Sequence, residues 1–461
     1  MRRVLILFTL ASLCITAFLP TAAALPQSPF PTVHAAMQTA YFWIVKLAQP
    51  DKVILSNQQI AAYNQSVIRD LPRTVYNVLD YPAVLSHSEL QALLNERPFP
   101  HENRYLRGQL IQSSFYAELN RIMNAGQIAA TNPVHYAFAV RRTDLRAFPT
   151  AEIVTKTPKD TEFDRFQETA VLAAEPLLIL HGSSDDRWYF VQTGNYRGWV
   201  KANDLAVTKD KQKWAAYIRS KQFLVITGNK MQLGYNPYSP AVSRLELGMG
   251  TRLALADASQ IPELVDHQSP AGNYVVRIPV QGANRELQFH LALIPIYSDV
   301  SEGYLPYTRA NIIRQAFKMQ GERYGWGGMF GARDCSAFVT DIFRSFGIML
   351  PRNADEQETA PGRTLVFGSG QPATARYAAL GKMAAGAVLF KEGHVMLYLG
   401  EYNGRHYIIH DVSGSGNFSA TGSRGSAERK TLNGVMVTDL ALPLPGGYSF
   451  IDVLTSAKQY E

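Results

Sequence analysis

The sequence predicts a multidomain α+β chain: an irregular helical N-terminal region, two small β-barrels and a C-terminal α+β domain. Three observations carry this. At 461 residues the chain exceeds one small core and suits about three or four domains. Near Pro133 helix-spaced apolar residues give way to short β-rich runs separated by turn residues. Beyond Tyr304 helical and strand-like patterns alternate again. The expected divisions are 1–24 for an export segment, 25–130 for the helical region, 131–210 and 211–300 for the barrels, and 301–461 for the last domain.

The chain opens with Arg2 and Arg3, an apolar run from Val4 to Leu19, and Thr21-Ala22-Ala23-Ala24. This reads as a secretory signal peptide cut after Ala24, with an apolar core too short to span a membrane comfortably. Leu13 before Cys14 argues against lipid attachment, so Cys14 leaves with the signal and Cys335 is the one remaining thiol. An exported chain with one cysteine forms no internal disulfide. The precursor charge is +7, and loss of Arg2 and Arg3 leaves 43 basic against 38 acidic residues, or +5. That weakly suits an anionic polymer or surface. No Lys/Arg run is dense enough for nucleic acid, and nothing after the signal is long and apolar enough to span a membrane. The chain is expected to be exported, either periplasmic or wall-associated and extracellular.

From Ala35 to Ala125 the pattern is mostly helical, with Ile54, Leu55, Ile60, Ala61 and Tyr63, then Leu90, Leu93 and Leu94, broken by Pro72, Pro82, Pro98 and Pro100. It reads as a region that packs onto the later domains. The first β block has strand candidates at Tyr136–Val140, Leu177–Leu180, Trp188–Gln192 and Tyr196–Val200. The run Trp188 to Thr193 with Tyr196-Arg197-Gly198-Trp199-Val200 resembles the end of a bacterial SH3-like domain. A second block, from Phe223-Leu224-Val225-Ile226 through Leu253 and Tyr274-Val275-Val276 to Ile294, looks like a more divergent barrel of the same kind.

In the last domain, Thr308 can cap a helix with an apolar face of Ile312, Ile313, Ala316 and Phe317. Next come Tyr324-Gly325-Trp326-Gly327-Gly328 and Arg333-Asp334-Cys335-Ser336. Phe338, Val339, Ile342, Phe343 and Phe346 follow at helical spacing, ending at Gly347, so Cys335 should open a helix. Unpaired N–H groups at a helix start favour a thiolate, although most cysteines are simply small buried hydrophobes.

Cysteine catalysis needs a base near the thiol and a third group to orient it. His394, on a strand after the Glu392-Gly393 turn, is the candidate base, and His410, on the strand after Asn403-Gly404, the candidate orienter. A strict two-residue turn would put the two histidines on opposite faces. A three-residue loop, or an equivalent bulge, sets His410 opposite Met396 and diagonal to His394 on one face. His406 reads as a surface residue near the turn.

Tyr324-x-Trp326-Gly327-Gly328, Asp334-Cys335-Ser336, Leu350-Pro351-Arg352, Gly393-His394-Val395 and Ile409-His410, in that order, resemble the NlpC/p60 cell-wall cysteine peptidases. The resemblance covers about 305–455. With the two SH3-like blocks, the layout is similar to the subgroup that cleaves γ-D-glutamyl-diamino acid bonds in peptidoglycan stem peptides. It implies a papain-like α+β fold with Cys335 as nucleophile, His394 as base and His410 as orienter, and Tyr324 near the oxyanion. It implies too that Tyr324, Trp326 and Ser336 line a D-Glu pocket, and that Asp334 pairs with the free amine of an N-terminal L-Ala. Asp334 reads equally well as the N-cap of the cysteine helix. A pocket serine expected after the Pro-Arg segment is replaced by Asn353-Ala354-Asp355.

No cofactor is expected, since no H-E-x-x-H or paired-cysteine spacing marks a zinc enzyme. The partners expected are peptidoglycan or free murein peptides. An amidase or acyltransferase with the same triad, or a non-catalytic wall-binding protein, are the alternatives. The Gly/Ser-rich stretch from Ser413 to Gly434 reads as a mobile loop beside the cleft.

Overall fold

The computed structural model describes residues 28–418, 424–444 and 447–461, so the export segment expected over 1–24 and Cys14 lie outside the described residues. The chain is a mixed α+β, multidomain assembly with an irregular N-terminal region, as the sequence predicts.

That region contains short amphipathic helices, Asn57–Asp70, His87–Leu94 and Ser113–Met123 among them. Capping boxes fix two of their starts, Ser56 with Gln59 and Ser86 with Glu89, which satisfy otherwise orphaned N–H groups. Among the described residues this region makes no core of its own. Phe30, Met37, Trp43, Ile60 and Val67 join the core of the C-terminal domain, whereas Leu85, Leu90, Leu94 and Leu119 join that of the first β block. Val53–Leu55 pairs with Tyr307–Thr308, and the Tyr407 hydroxyl donates to Thr32 O at 3.0 Å, so the region straps the later domains together.

The first β block forms a seven-stranded antiparallel sheet containing His135–Ala139, Thr143–Arg146, Gln167–Val171, Pro176–Gly182, Trp188–Gln192, Arg197–Lys201 and Leu205–Thr208. Gly198 and Trp199 lie within strand Arg197–Lys201, and the glycine there has a steric reason. A Cβ on Gly198 would overlap Leu145 Cδ2, while Trp199 beside it is buried in the core. The second block has Phe223–Ile226 between Arg252–Ala254 and Val300–Glu302, and a long hairpin of Asn273–Gln281 with Leu287–Pro295.

The C-terminal domain is built on a six-stranded antiparallel sheet in the order Arg363–Val366, Leu454–Gln459, Val388–Lys391, His394–Tyr402, Arg405–Phe418, Arg424–Asp439. Helix Arg309–Phe317 starts where Thr308 Oγ1 accepts from Asn311 N at 3.1 Å. Helix Cys335–Arg344 follows the expected pattern, with Phe338, Val339, Ile342, Phe343 and Phe346 all fully buried. Each is worth roughly 1.5–3 kcal/mol relative to exposure, which anchors the helix against the sheet. Gly347 ends it at φ 77°, a left-handed backbone suited to glycine.

The histidine hairpin resolves its register by the bulge. Asn403 and Gly404, at φ 50° and 73°, make a two-residue turn, and Tyr402, Glu401 and Gly400 pair with Arg405, His406 and Tyr407. One residue of slip then falls between Tyr398 and Gly400, so Tyr398 pairs with Ile408 and Leu397 with Ile409. Gly400 takes up the bulge at φ 118°. Continued, that register sets Met396 opposite His410, and the two histidines share a face.

Two expectations are corrected. Ser413 to Gly434 is largely paired hairpin: Gly414, Ser415 and Gly416 face Thr431, Lys430 and Arg429, with residues 419–423 outside the described set. His406 is buried, not a surface residue. Its face of the sheet is covered by helix Ala373–Leu380, so it stacks on Tyr377 and its Nδ1 lies 2.7 Å from the Tyr398 hydroxyl.

Candidate active site

The start of the cysteine helix is fixed by a buried polar network. Asp334 stands at the N-cap, where Oδ1 accepts from Ala337 N at 3.0 Å and from Ser336 Oγ at 3.2 Å. Its Oδ2 accepts from Gly327 N at 2.9 Å and from Arg352 Nη2 at 2.7 Å. Arg352 also donates to Ser336 Oγ at 2.7 Å and to Thr169 Oγ1 of the first β block at 2.5 Å. Burial works to raise the Asp334 carboxyl, but Arg352 and the two N–H groups outweigh it and hold it below the usual carboxylate range. Arg333 pins the same helix from the other side, with Asp341 and Glu322 each at 2.6 Å.

The glycine-rich run is held by the barrel. Gly327 and Gly328 sit at φ 56° and 90°, and a Cβ on Gly327 would meet Gln167 O at 2.8 Å. Gln167 Nε2 donates to Gly327 O at 2.9 Å, and Arg142 donates to Gly328 O. These contacts set Tyr324 and Trp326 beside the helix start.

Cys335 is 8% exposed, and the cysteine helix packs against His394–Tyr402. Burial and the neighbouring Asp334 charge push its thiol up to about 12, against a smaller opposite effect of the Val395 N–H. The thiolate expected from the helix start is therefore not the resting form, because desolvation and an adjacent carboxylate outweigh the helix N–H groups. His394 Nε2 lies 2.9 Å from His410 Nδ1, and His410 Nε2 lies 3.1 Å from Thr438 Oγ1. Phe450 covers both rings, at 5.8 and 5.4 Å. Burial, then His410 and Lys391, hold His394 well below the ordinary histidine range, and burial lowers His410 to about 3. Both rings are neutral. If His410 donates from Nε2 to Thr438, its Nδ1 accepts the His394 Nε2 proton, and His394 Nδ1 keeps a lone pair. A base in that tautomer can take a thiol proton.

Tyr324 stays a phenol, since burial raises it first and the Asp334 charge raises it further. Trp326 packs edge-on against Phe163 of the first β block at 5.6 Å, and its Nε1 has no acceptor among the described residues. Ser336, expected in a substrate pocket, has its hydroxyl committed to Asp334 and Arg352.

Sequence reasoning missed Thr438, Asp411 and the part played by Arg352. Thr438 carried no local signal, because its strand pairing decides what it meets. Asp411, next to His410, is fully buried, and neither of its oxygens has a hydrogen-bond partner among the described residues. Burial, then Asp334 and Glu322, raise it well above the carboxylate range, so it is a neutral acid. Among the described residues no group of His, Cys, Asp or Glu stands where it could hold a metal, and no helix is long and apolar enough to cross a membrane.

Residues 321–435 match the model of the NlpC/P60 family, and residues 154–201 match that of an SH3 domain of the SH3b1 type. No curated protein sequence matches the chain significantly. Among solved structures, an NlpC/P60 endopeptidase from Photobacterium damselae subsp. piscicida is 18% identical, with a TM-score of 0.71 over 91% of this chain and 96% of that one. An NlpC/P60 family protein from Bacillus cereus is also 18% identical, with a TM-score of 0.45 over 70% of this chain and 99% of that one. The first of these shares the fold across nearly the whole length. The chain thus carries an SH3b domain followed by an NlpC/P60 family domain, and Cys335, His394 and His410 all fall inside the latter.

Proposed function

We propose that the chain is an exported cysteine peptidase that hydrolyses the γ-D-glutamyl-diamino acid bond of peptidoglycan stem peptides. Cys335 is the nucleophile, His394 the general base and His410 with Thr438 the orienting pair. The observation that carries this is the 2.9 Å contact of His394 Nε2 with His410 Nδ1, continued to Thr438, on strands packed against the helix that Cys335 opens.

In this reading Cys335 Sγ attacks the γ-carbonyl carbon while its proton passes to His394 Nδ1. The Cys335 N–H and the Tyr324 hydroxyl donate to the developing oxyanion. The tetrahedral adduct collapses to a thioester as His394 returns the proton to the leaving amine. Water, deprotonated by His394, then releases the glutamyl product and the thiol. Proton transfer in the attack step is required here, because thiol and imidazole both start neutral. Tyr324 and Trp326 line the side on which the D-Glu residue sits.

Asp334 does not suit the amine-recognition part of the reading. Two hydrogen bonds fall on each of its oxygens, one of them from Arg352, so it offers an ammonium no vacant acceptor. Its part is to cap the cysteine helix.

The test is mass spectrometry of products from L-Ala-γ-D-Glu-diaminopimelate and its N-acetylated form, with Cys335→Ala as the blank. Release of L-Ala-D-Glu by the unaltered chain and not by the variant supports the bond and the nucleophile. Turnover by Cys335→Ala removes the nucleophile, and no cleavage of either peptide removes the bond.

A further inference from the structure

The cleft wall beside Trp326 is cationic, and the hydrolytic reading leaves it unused. Arg165 comes from the first β block, and its guanidinium lies over the Trp326 ring, 5.0 Å from the centroid, and 5.3 Å from that of Phe163. Phe163 in turn lies 6.4 Å from the Tyr324 ring. Two aromatic faces thus fix the plane of the fork. Among the described residues no carboxylate or carbonyl accepts from the guanidinium, and its Nε is buried without a partner. Trp326 Nε1 is a second buried donor in the same state. Two orphaned donors and a cation side by side lack one thing, an anionic acceptor.

The concavity next to them supports the same conclusion. It is lined by Lys156, Lys159, Asp160, Glu162, Arg165 and Ser413. Glu162 is already engaged by Arg323 at 2.9 Å and Asn433 at 2.8 Å. Asp160, the carboxylate whose charge acts most on Arg165, makes no ion pair with it and turns Oδ1 onto the N–H groups of Glu162 and Phe163. Arg104, whose charge also acts on Arg165, is paired with Glu102 at 2.9 Å. The surplus charge is positive. Ser413 lies three residues beyond His410, so the concavity reaches the catalytic strand.

We propose that Arg165, backed by Lys156 and Lys159, is a subsite that binds an ionised carboxylate of the substrate adjacent to the bond Cys335 attacks. The inference rests on the hydrolytic reading above. A guanidinium fork pairs with a carboxylate through two parallel N–H bonds, whereas an amidated carboxyl offers neither the charge nor the second acceptor. The carboxylate can stand on the acyl side, as the α-carboxylate of D-Glu, or on the amine side, on the diamino acid.

The full chain and its Arg165→Gln and Arg165→Lys variants are assayed on L-Ala-γ-D-Glu-diaminopimelate and on two analogues, one amidated at D-Glu and one at the diamino acid. In the unaltered chain, amidating the carboxylate that is read lowers kcat/KM about ten- to a hundredfold, mainly through KM, and amidating the other does not. Arg165→Gln loses the same factor on the acid and becomes indifferent to that amidation, and Arg165→Lys recovers part. An Arg165→Gln variant that melts like the parent and keeps its acid-to-amide ratio overturns the subsite. Calorimetry of the same peptides on Cys335→Ala, with and without Arg165→Gln, separates the two readings. If no peptide is cleaved but the acid binds at least about tenfold tighter only when Arg165 is present, the bond is wrong and the subsite stands. Equal affinities for acid and amides discard the subsite whatever is cleaved.

Discussion

Arg352→Met tests whether Asp334 serves the fold of the site or the recognition of an amine. Removing Arg352 leaves the Asp334 carboxylate, 7% exposed, with three neutral donors and no cation. Breaking a buried pair in this way costs about 3–5 kcal/mol. In a domain of this size that lowers the melting midpoint by roughly 6–20 °C. The cost depends on pH in a definite direction. The Asp334 pKa is depressed in the folded state, so its contribution is present above the unfolded value of about 3.9 and is lost as pH falls through the folded one. The gap between parent and variant is therefore wide at pH 7 and narrows towards pH 3. Asp334→Asn, which strands Arg352 instead, should fall similarly, and the double variant should recover part of the loss. Calorimetric melting from pH 3 to 8 measures all three. At a temperature where each is folded, the ratio of rates on free and N-acetylated peptide should match the parent's in Asp334→Asn. A melting shift below about 2 °C for Arg352→Met, or a changed acetylation ratio, refutes the structural role.

Three further outcomes are expected of the site. With the Cys335 thiol at about 12 and His394 below the ordinary range, alkylation of Cys335 should be slow at pH 7 and show no inflection below about pH 9, while the acid limb of kcat/KM falls below about pH 6.5; a thiolate titration below pH 7 would contradict this. Asp411→Asn should raise the melting midpoint at pH 7 and lose that advantage towards pH 4. The reason is that a carboxyl raised in the folded state costs stability as pH climbs above its unfolded value, and melting against pH reads it. Gly400→Ala forces a side chain to φ 118° at the bulge that sets the histidine register; we expect a cost of about 1–3 kcal/mol together with a loss of kcat, and an unchanged kcat would separate the register from catalysis.

Much of the site was legible because its residues announce themselves locally. The helix that Cys335 opens follows from five apolar positions at 3.6-residue spacing and a terminal Gly347, and each was found buried where expected. The need for a register shift between His394 and His410 also followed from strand alternation, though not where it would fall. Asn403-Gly404 supplied the tight turn, and the slip moved four residues upstream to Gly400. What sequence could not supply were partners fixed by long-range packing. Arg352 meets Thr169, and Thr438 meets His410, across separations that no window of residues connects. The thiol expectation failed for a related reason. The helix start was visible in the sequence, but the desolvation and the neighbouring Asp334 charge that outweigh it depend on what closes over Cys335.

The SH3b domain packs directly against the elements that hold Cys335. The backbone of Gly327 is clamped from both sides, its N–H by Asp334 in the C-terminal domain and its carbonyl by Gln167 in the first β block. Arg352, which balances Asp334, has its own geometry set by Thr169 of the same block. Trp326 has Phe163 at its edge and Arg165 over its face, again from that block. A helix start whose cap, counter-ion and aromatic neighbour all lean on one barrel strand and the loop before it keeps its shape only while that barrel is docked. The N-terminal region, which buries Leu90 and Leu119 in the barrel and Trp43 in the C-terminal core, holds the two together. The geometry at Cys335 is therefore a property of the assembled chain, and the orphaned donors of Arg165 and Trp326 exist only where the two domains meet.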